Sequence, residues 1–154
     1  MTQENKDLLL RDICARLPYG VKAQVCGWDA EKGEVEVPLE IYSINTDGYV
    51  YFVTNDYDVN YLPVENVRPY LRPRSSMTGE EMKEYHKTFR AEPYGSGTGF
   101  VYVESIHSFD WLNKKMFDYR GLIDKGLAIE LTEELYIEFR KHLFDNLPSN
   151  TCSR

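Results

Sequence analysis

The chain has 154 residues, of which 42% are hydrophobic and 28% are charged. A chain of this length can bury one ordinary hydrophobic core, and this composition excludes global disorder. The formal net charge of −7 opposes non-specific binding of the whole chain to nucleic-acid phosphates.

The first 18 residues are predicted to form an amphipathic helix. Leu9, Ile13 and Leu17 recur every four residues, which is the spacing of a helix with one apolar face. Pro18 then ends the helix.

Residues 19–74 are predicted to form a small barrel. Apolar and polar residues alternate there with the period of two that is typical of strands. Asp47-Gly48 is the clearest turn signal, because this pair tolerates the positive φ values of a tight turn, and it predicts a hairpin between residues 37–43 and 49–53. About four or five short strands joined by tight turns are typical of an SH3-like antiparallel β-barrel.

Residues 75–154 are predicted to be a mainly helical extension packed on the barrel. A capping-box pattern at Thr78 opens the first of three helices. Ser108 or Asp110 caps the second helix, and the third follows Thr132. The fold class expected for the whole chain is α+β, with all of its residues in a single compact unit.

The cysteines and the apolar segments bear on the compartment. Cys14, Cys26 and Cys152 are odd in number and form no C-x-x-C motif, so neither a zinc knuckle nor a disulfide framework is indicated. The first residues lack a basic leader pattern, and no window approaches the roughly 20 apolar residues of a membrane helix. We therefore expect a soluble, cytoplasmic protein.

Three segments are characteristic when taken together. They are Ala15–Val21, Val67–Thr78 and Asp110–Ala128. They resemble a group of small uncharacterised proteins of gut anaerobes and of their prophages and mobile elements. The resemblance covers most of the chain in order. It implies no activity, cofactor or catalytic residue, but it implies that the barrel and the extension belong to one design.

No motif for metal or phosphate binding is convincing. His86, His107 and His142 have no second ligand at a helical metal-binding spacing. The run Gly95-Ser96-Gly97-Thr98-Gly99 lacks the lysine of a phosphate loop and precedes an apparent strand, so it indicates a flexible connection. No metal and no cofactor are predicted.

No residue is assigned a catalytic role either. A nucleophile pair can be drawn from Cys14, Cys26, Ser75 or Ser76, but none lies in a local signature such as G-x-S-x-G. An enzyme would need a site assembled from dispersed residues, and that alternative stays open.

One basic cluster suggests contact with nucleic acid. Arg68, Arg72 and Arg74 surround Tyr70, and arginines beside a tyrosine can pair with phosphates and stack on bases. The competing interpretation is that Tyr70 packs under the barrel while the arginines pair with acids such as Glu65.

Tyrosine is the more suggestive residue type, with twelve copies in the chain. Exposed tyrosines beside acidic residues are suited to gripping an extended peptide, because the ring buries area while its hydroxyl group stays hydrogen-bonded. Tyrosines also favour strands for purely structural reasons. The candidate binding residues are Tyr42, Tyr49, Tyr51, Asp56, Tyr57, Asp58 and Tyr61. The leading hypothesis is a non-catalytic protein-interaction or accessory factor whose partner is another protein or a peptide.

Overall fold

Helix α1 (Gln3–Arg16) opens the chain and confirms the predicted N-terminal helix. The computed structural model describes residues 1–25, 39–53, 59–95 and 98–137, with the side chain of Val53 excepted. The Thr2 hydroxyl caps α1 by accepting the Asn5 N–H at 3.2 Å. The helix gives way to a short 3₁₀ turn, Leu17–Tyr19, which begins just before the predicted stop at Pro18.

Within the described residues, one mixed sheet contains seven strands: β1 (Val21–Val25), β2 (Leu39–Ile44), β3 (Tyr49–Val53), β4 (Val59–Pro63), β5 (Val67–Pro73), β8 (Phe117–Asp118) and β9 (Ile129–Glu130). Their order in the sheet is β4-β3-β2-β1-β5-β8, and β9 also pairs with β5. Strands β1 to β5 are joined in antiparallel pairs, whereas β8 and β9 each run parallel to β5.

The Asp47-Gly48 turn joins β2 and β3 as predicted. Gly48 takes a φ of 82°, and Asp47 stays in the ordinary negative range. The Gly48 N–H donates to the Asn45 carbonyl at 3.2 Å, while the Asn45 side-chain oxygen accepts the N–H groups of Asp47 and Tyr49. The start of the predicted first strand, residues 37–38, lies outside the described residues.

One face of the sheet is covered by α1. Leu9 and Ile13 of the helix are fully buried against apolar side chains that alternate along the strands. The strand residues in this core are Val21, Ala23, Ile41, Val50, Val67 and Leu71. This arrangement leaves the opposite face of β2, β3 and β4 turned away from the helix.

The predicted SH3-like barrel is wrong, because the sheet is open. Strand β4 ends the sheet on one side of the described residues and β8 ends it on the other. Closure of a barrel requires its edge strands to meet. Instead, the end of β5 is occupied by β8 at Arg72–Pro73 and by β9 at Tyr70–Leu71.

The prediction of a mainly helical extension is also wrong. Besides β8 and β9, this part contains α2 (Gly79–His86), α3 (Ile106–Lys114) and a separate two-stranded hairpin of β6 (Arg90–Tyr94) and β7 (Gly99–Val103). The capping box predicted at Thr78 is present. Helix α3 begins after Ser105 rather than at Ser108 or Asp110. Helical residues resume at 133 and continue to 137, where the described residues end.

Two buried arginines connect the C-terminal part to the sheet and to α1. Arg16 forms a bidentate pair with Asp12, at 2.7 and 3.0 Å, and also donates to the Phe117 carbonyl at 2.8 Å. Arg72 pairs with Glu81 through two bonds of 2.8 and 2.9 Å. Within the described residues, no helix is both long and apolar enough to cross a membrane.

Candidate interaction site

Four of the predicted tyrosines lie together on the sheet face opposite α1. Tyr42 belongs to β2, Tyr49 and Tyr51 to β3, and Tyr61 to β4. Side chains alternate between the two faces of a strand. Val50 is buried in the core that contains Leu9 and Ile13 of α1, so its neighbours Tyr49 and Tyr51 lie on the other face. The tyrosine face is defined here as Tyr42, Tyr49, Tyr51 and Tyr61.

The rings of the tyrosine face form a contiguous surface. The ring of Tyr61 lies 5.6 Å from that of Tyr49 and 5.6 Å from that of Tyr51. The ring of Tyr42 extends the row, with its centroid 6.4 Å from that of Tyr51. Such tilted and edge-on contacts hold aromatic rings in place. The face is therefore pre-arranged before any ligand is present.

The tyrosine face is also accessible. Tyr61 is 59% exposed, Tyr42 is 50% exposed and Tyr49 is 37% exposed, while Tyr51 is half-buried between its neighbours. Three of the candidate tyrosines are therefore exposed. The other candidate binding residues, Asp56, Tyr57 and Asp58, lie outside the described residues.

Charged groups border the tyrosine face. Glu40, next to Tyr42 on β2, is exposed and pairs with Lys22 of β1 at 2.6 Å. Asp47 is exposed in the turn that precedes Tyr49. The described rim of the face therefore carries two carboxylates and one amine.

Strand β4 adds to the tyrosine face a backbone edge that has no partner among the described strands. The Val64 N–H donates to the Gly48 carbonyl at 2.9 Å, and the register continues from Tyr49–Pro63 to Val53–Val59. Hydrogen-bonded and non-hydrogen-bonded pairs alternate in an antiparallel ladder. Gly48–Val64 is a hydrogen-bonded pair, so Tyr51–Tyr61 and Val53–Val59 are non-hydrogen-bonded pairs. The backbone groups of Val59 and Tyr61 therefore point away from β3, and no described strand pairs with them.

Val59 is a residue of this site that was missed at the sequence level. It is 59% exposed and lies two residues before Tyr61, so both side chains are on one face. The strict alternation of side chains along β4 was the signal that could have identified it.

The structure does not bring the basic cluster onto one open face. Tyr70 and Arg72 are only 8% and 7% exposed. The Arg72 guanidinium lies 4.3 Å from the ring centroid of Phe117 and 4.2 Å from that of Tyr136. It is also engaged by Glu81 and donates to the Ser76 carbonyl, so it is not available to a phosphate.

Arg68 and Arg74, the other arginines of the cluster, are exposed, but they contact different parts of the protein. Arg68 lies opposite Gln24 of β1 on the outer face of the sheet. Arg74 pairs with Glu104 at 3.1 Å and lies over the Tyr85 ring.

Two pKa shifts accompany these arginine contacts. The hydrogen bonds from Arg72 lower the pKa of Glu81 to about 2, against the effect of burial. Burial, together with a hydrogen bond to Glu104, raises the pKa of Tyr85. Glu81 links α2 to Arg72 of β5, and Tyr85 links α2 to Glu104 in the segment that precedes α3.

A cavity of about 800 Å³ beside α3 bears on the alternative of a dispersed enzyme site. His107, Asp110 and Glu104 contribute to its lining. Glu104 is already bound by Arg74 and Tyr85, so it is not a free base. Among the described residues, no group of three histidine, cysteine or carboxylate side chains could hold a metal ion.

Comparison with known proteins gives no relative: no family model, no curated protein and no solved structure matches this chain. The resemblance to proteins of gut anaerobes and their prophages therefore stays a prediction.

Proposed function

We propose that the tyrosine face binds an extended segment of a partner protein, and that the chain is a non-catalytic interaction factor. The observation that carries this proposal is the contiguous row of four tyrosine rings, three of them exposed, on the side of the sheet that α1 leaves uncovered. Aromatic rings of this kind supply large contact area at low conformational-entropy cost.

Among the described strands, β4 has one edge without a partner, which supports binding by strand addition. An extended segment laid beside β4 can form hydrogen bonds with the outward backbone groups of Val59 and Tyr61. Its alternate side chains would then lie beside Tyr61 on β4, and long side chains would reach Tyr49 and Tyr51 on β3. Main-chain hydrogen bonds and aromatic contact together provide affinity.

Charge defines the preferred partner chemistry. On the rim, Lys22 neutralises Glu40 and Asp47 remains exposed, while the whole chain has a net charge of −7. A basic segment is therefore favoured during approach and in its orientation. Prolines are compatible where the proline nitrogen faces solvent, because that position has no hydrogen bond to β4.

The same proposal includes location and origin. A cytoplasmic interaction factor of prophage or mobile-element origin agrees with the absence of a disulfide pattern and with the resemblance of three of its segments.

The test is selection of ligands from a random peptide library, followed by affinity measurement with labelled synthetic peptides. Selected peptides should be basic and extended. The variant Tyr42→Ser/Tyr61→Ser should bind them at least tenfold more weakly, because truncation of a central aromatic contact costs about 2 kcal/mol or more. Its melting temperature should stay within a few degrees of that of the native chain, since both side chains are exposed.

A matched control is Tyr94→Ser/Tyr102→Ser, which removes two exposed tyrosines from the β6–β7 hairpin. It should leave peptide affinity unchanged. Equal losses in both double variants would contradict a specific role for the tyrosine face. If the chain instead binds a labelled single-stranded oligonucleotide, and Arg68→Ala/Arg74→Ala abolishes that binding with a steep dependence on salt, the partner is a nucleic acid.

A further inference from the structure

The β6–β7 hairpin is separate from the seven-stranded sheet and carries exposed aromatic side chains. Tyr102 is 73% exposed, Tyr94 is 71% exposed and Phe100 is 63% exposed. A two-stranded hairpin is marginally stable in water unless further strands or a helix cover it. No described residue covers these large rings, so the hairpin is suited to an interaction with another molecule.

One face of the hairpin is entirely apolar. The register pairs Ala91 with Tyr102 and Pro93 with Phe100, which places these four side chains on the same face. All four residues are exposed. We call this set, Ala91, Pro93, Phe100 and Tyr102, the apolar hairpin face.

The two outer edges of the hairpin differ in their capacity to pair. Pro93 has no N–H, so Pro93 and Phe100 cannot form a hydrogen-bonded pair of the ladder. Because the two kinds of pair alternate along the strands, the hydrogen-bonded pairs are Tyr94–Gly99 and Glu92–Val101. The Pro93 nitrogen therefore faces outward and blunts the edge of β6. On β7, the N–H and C=O groups of Phe100 and Tyr102 face outward, and no described strand pairs with them.

The sequence of β7 is self-complementary about Val101. A second copy of β7 can be laid antiparallel to the first with Val101 on the two-fold axis. Phe100 then lies opposite Tyr102 of the second copy, and Tyr102 lies opposite Phe100 of the second copy. These are the residues whose backbone groups face outward, so the two pairs supply four hydrogen bonds. The same register brings each phenylalanine ring against a tyrosine ring, which is a favourable cross-strand pair.

Charge also favours a second copy at this place. The chain has a net charge of −7, but residues 90–103 contain one arginine and one glutamate and no other charged group. Arg90 and Glu92 pair with each other within the hairpin. Two hairpins can therefore approach without the like-charge repulsion that opposes contact between other parts of two copies.

We propose that the chain self-associates through β7, by antiparallel pairing with a second copy across a two-fold axis at Val101. The product is a four-stranded sheet whose apolar hairpin faces lie side by side. The contact area of two short strands falls below that of standard protein interfaces, so self-association is weak and depends strongly on concentration.

Sedimentation velocity over a range from about 5 to 500 µM tests the proposal, because weak complexes have dissociation constants in or above the micromolar range. The weight-average sedimentation coefficient should rise from the monomer value toward the dimer value. A chain that remains monomeric over the whole range would overturn the proposal.

Two charge variants test the register. Phe100→Lys/Tyr102→Lys places like charges opposite each other in the proposed register and should abolish self-association. Phe100→Glu/Tyr102→Lys places opposite charges there and should retain it. Far-UV circular dichroism confirms that both variants fold. Loss of self-association in both variants, or in neither, would contradict the two-fold pairing at Val101.

The tyrosine-face variant serves as the control. Tyr42→Ser/Tyr61→Ser should leave self-association unchanged, because its residues lie on the other sheet. If this variant alone becomes monomeric, the two copies meet at β4 and the proposed interface is wrong.

Discussion

Arg72 illustrates how a single buried charge organises the C-terminal part of the protein. Its guanidinium lies between the rings of Phe117 and Tyr136 and is held by both carboxylate oxygens of Glu81. Glu81 also accepts the Thr78 N–H and thereby completes the capping box of α2. One carboxylate thus serves both the start of a helix and the neutralisation of a buried cation.

This arrangement predicts acid sensitivity. The pKa of Glu81 is about 2 in the folded state and near 4.5 without its partners. A carboxyl group whose pKa is lower in the folded state than in the unfolded state stabilises the fold when it is ionised. For Glu81 this stabilisation is complete above about pH 4.5 and is lost as the pH falls toward 2. Because solvent partly screens the Glu81–Arg72 pair, the loss in the free energy of unfolding is about 1–2 kcal/mol.

Glu81→Gln is the matched variant, because its side-chain oxygen can still accept the Thr78 N–H while the charge is removed. It should be less stable at pH 7 by about 3 kcal/mol, since Arg72 is left buried without its counter-ion. The difference in unfolding free energy between the native chain and the variant, from urea titrations at pH 7, 4.5, 3 and 2, should shrink as the pH falls. A difference that stays constant with pH would show that folding does not lower the pKa of Glu81.

At the scale of elements, the β2–β3 hairpin supports the tyrosine face. Its turn sets the register of β2 against β3, which places Tyr42 beside Tyr51, and Tyr51 in turn lies opposite Tyr61 of β4. Gly48 is central to the turn because its φ of 82° is strained for any residue with a Cβ atom. A Cβ atom there would also meet the Lys6 and Leu10 side chains of α1 at 3.4 and 3.7 Å.

Gly48→Ala should therefore lower the free energy of unfolding by about 1–2 kcal/mol, the cost of a left-handed backbone for a residue other than glycine. Gly79→Ala is the control, because Gly79 has an ordinary φ and open space around it at the start of α2. That variant should keep or slightly increase stability. Urea unfolding followed by circular dichroism measures both, and equal effects would show that the turn conformation is not the determining factor.

At the scale of the whole molecule, buried contacts cross between the N-terminal and C-terminal halves. Arg16 of α1 is 2% exposed and donates to the Phe117 carbonyl of β8. Leu122 and Leu127 pack in the same core as Leu9. A core shared in this way makes it costly for either half to unfold alone.

The chain should accordingly unfold in one cooperative transition, as expected of a small single unit. Trp28→Phe leaves Trp111, which is half-buried against Phe117, as the only tryptophan reporter of the C-terminal half. Its fluorescence transition in urea should coincide with that of the far-UV circular dichroism. Two separated transitions would show that the chain contains two independent units.

Local features of this protein were predictable from the sequence because they depend on residues that are neighbours in the chain. The apolar spacing of Leu9 and Ile13 predicts α1, Asp47-Gly48 predicts the β2–β3 turn, and Thr78 with Glu81 predicts the capping box. Alternation along β3 and β4 was enough to expect outward tyrosines. Each of these signals acts over a few residues, so no knowledge of the remaining chain is required.

Only the tertiary structure decided whether the sheet closes and which charged residues are buried. The two-residue strands β8 and β9 have no periodicity of their own, and they form because β5 offers them a parallel edge. Arg72 appears in the sequence as part of a basic cluster, yet Glu81, Phe117 and Tyr136 enclose it from three separate segments. Pairing and burial of this kind depend on residues distant in the chain, and their free energy is realised only when those segments meet.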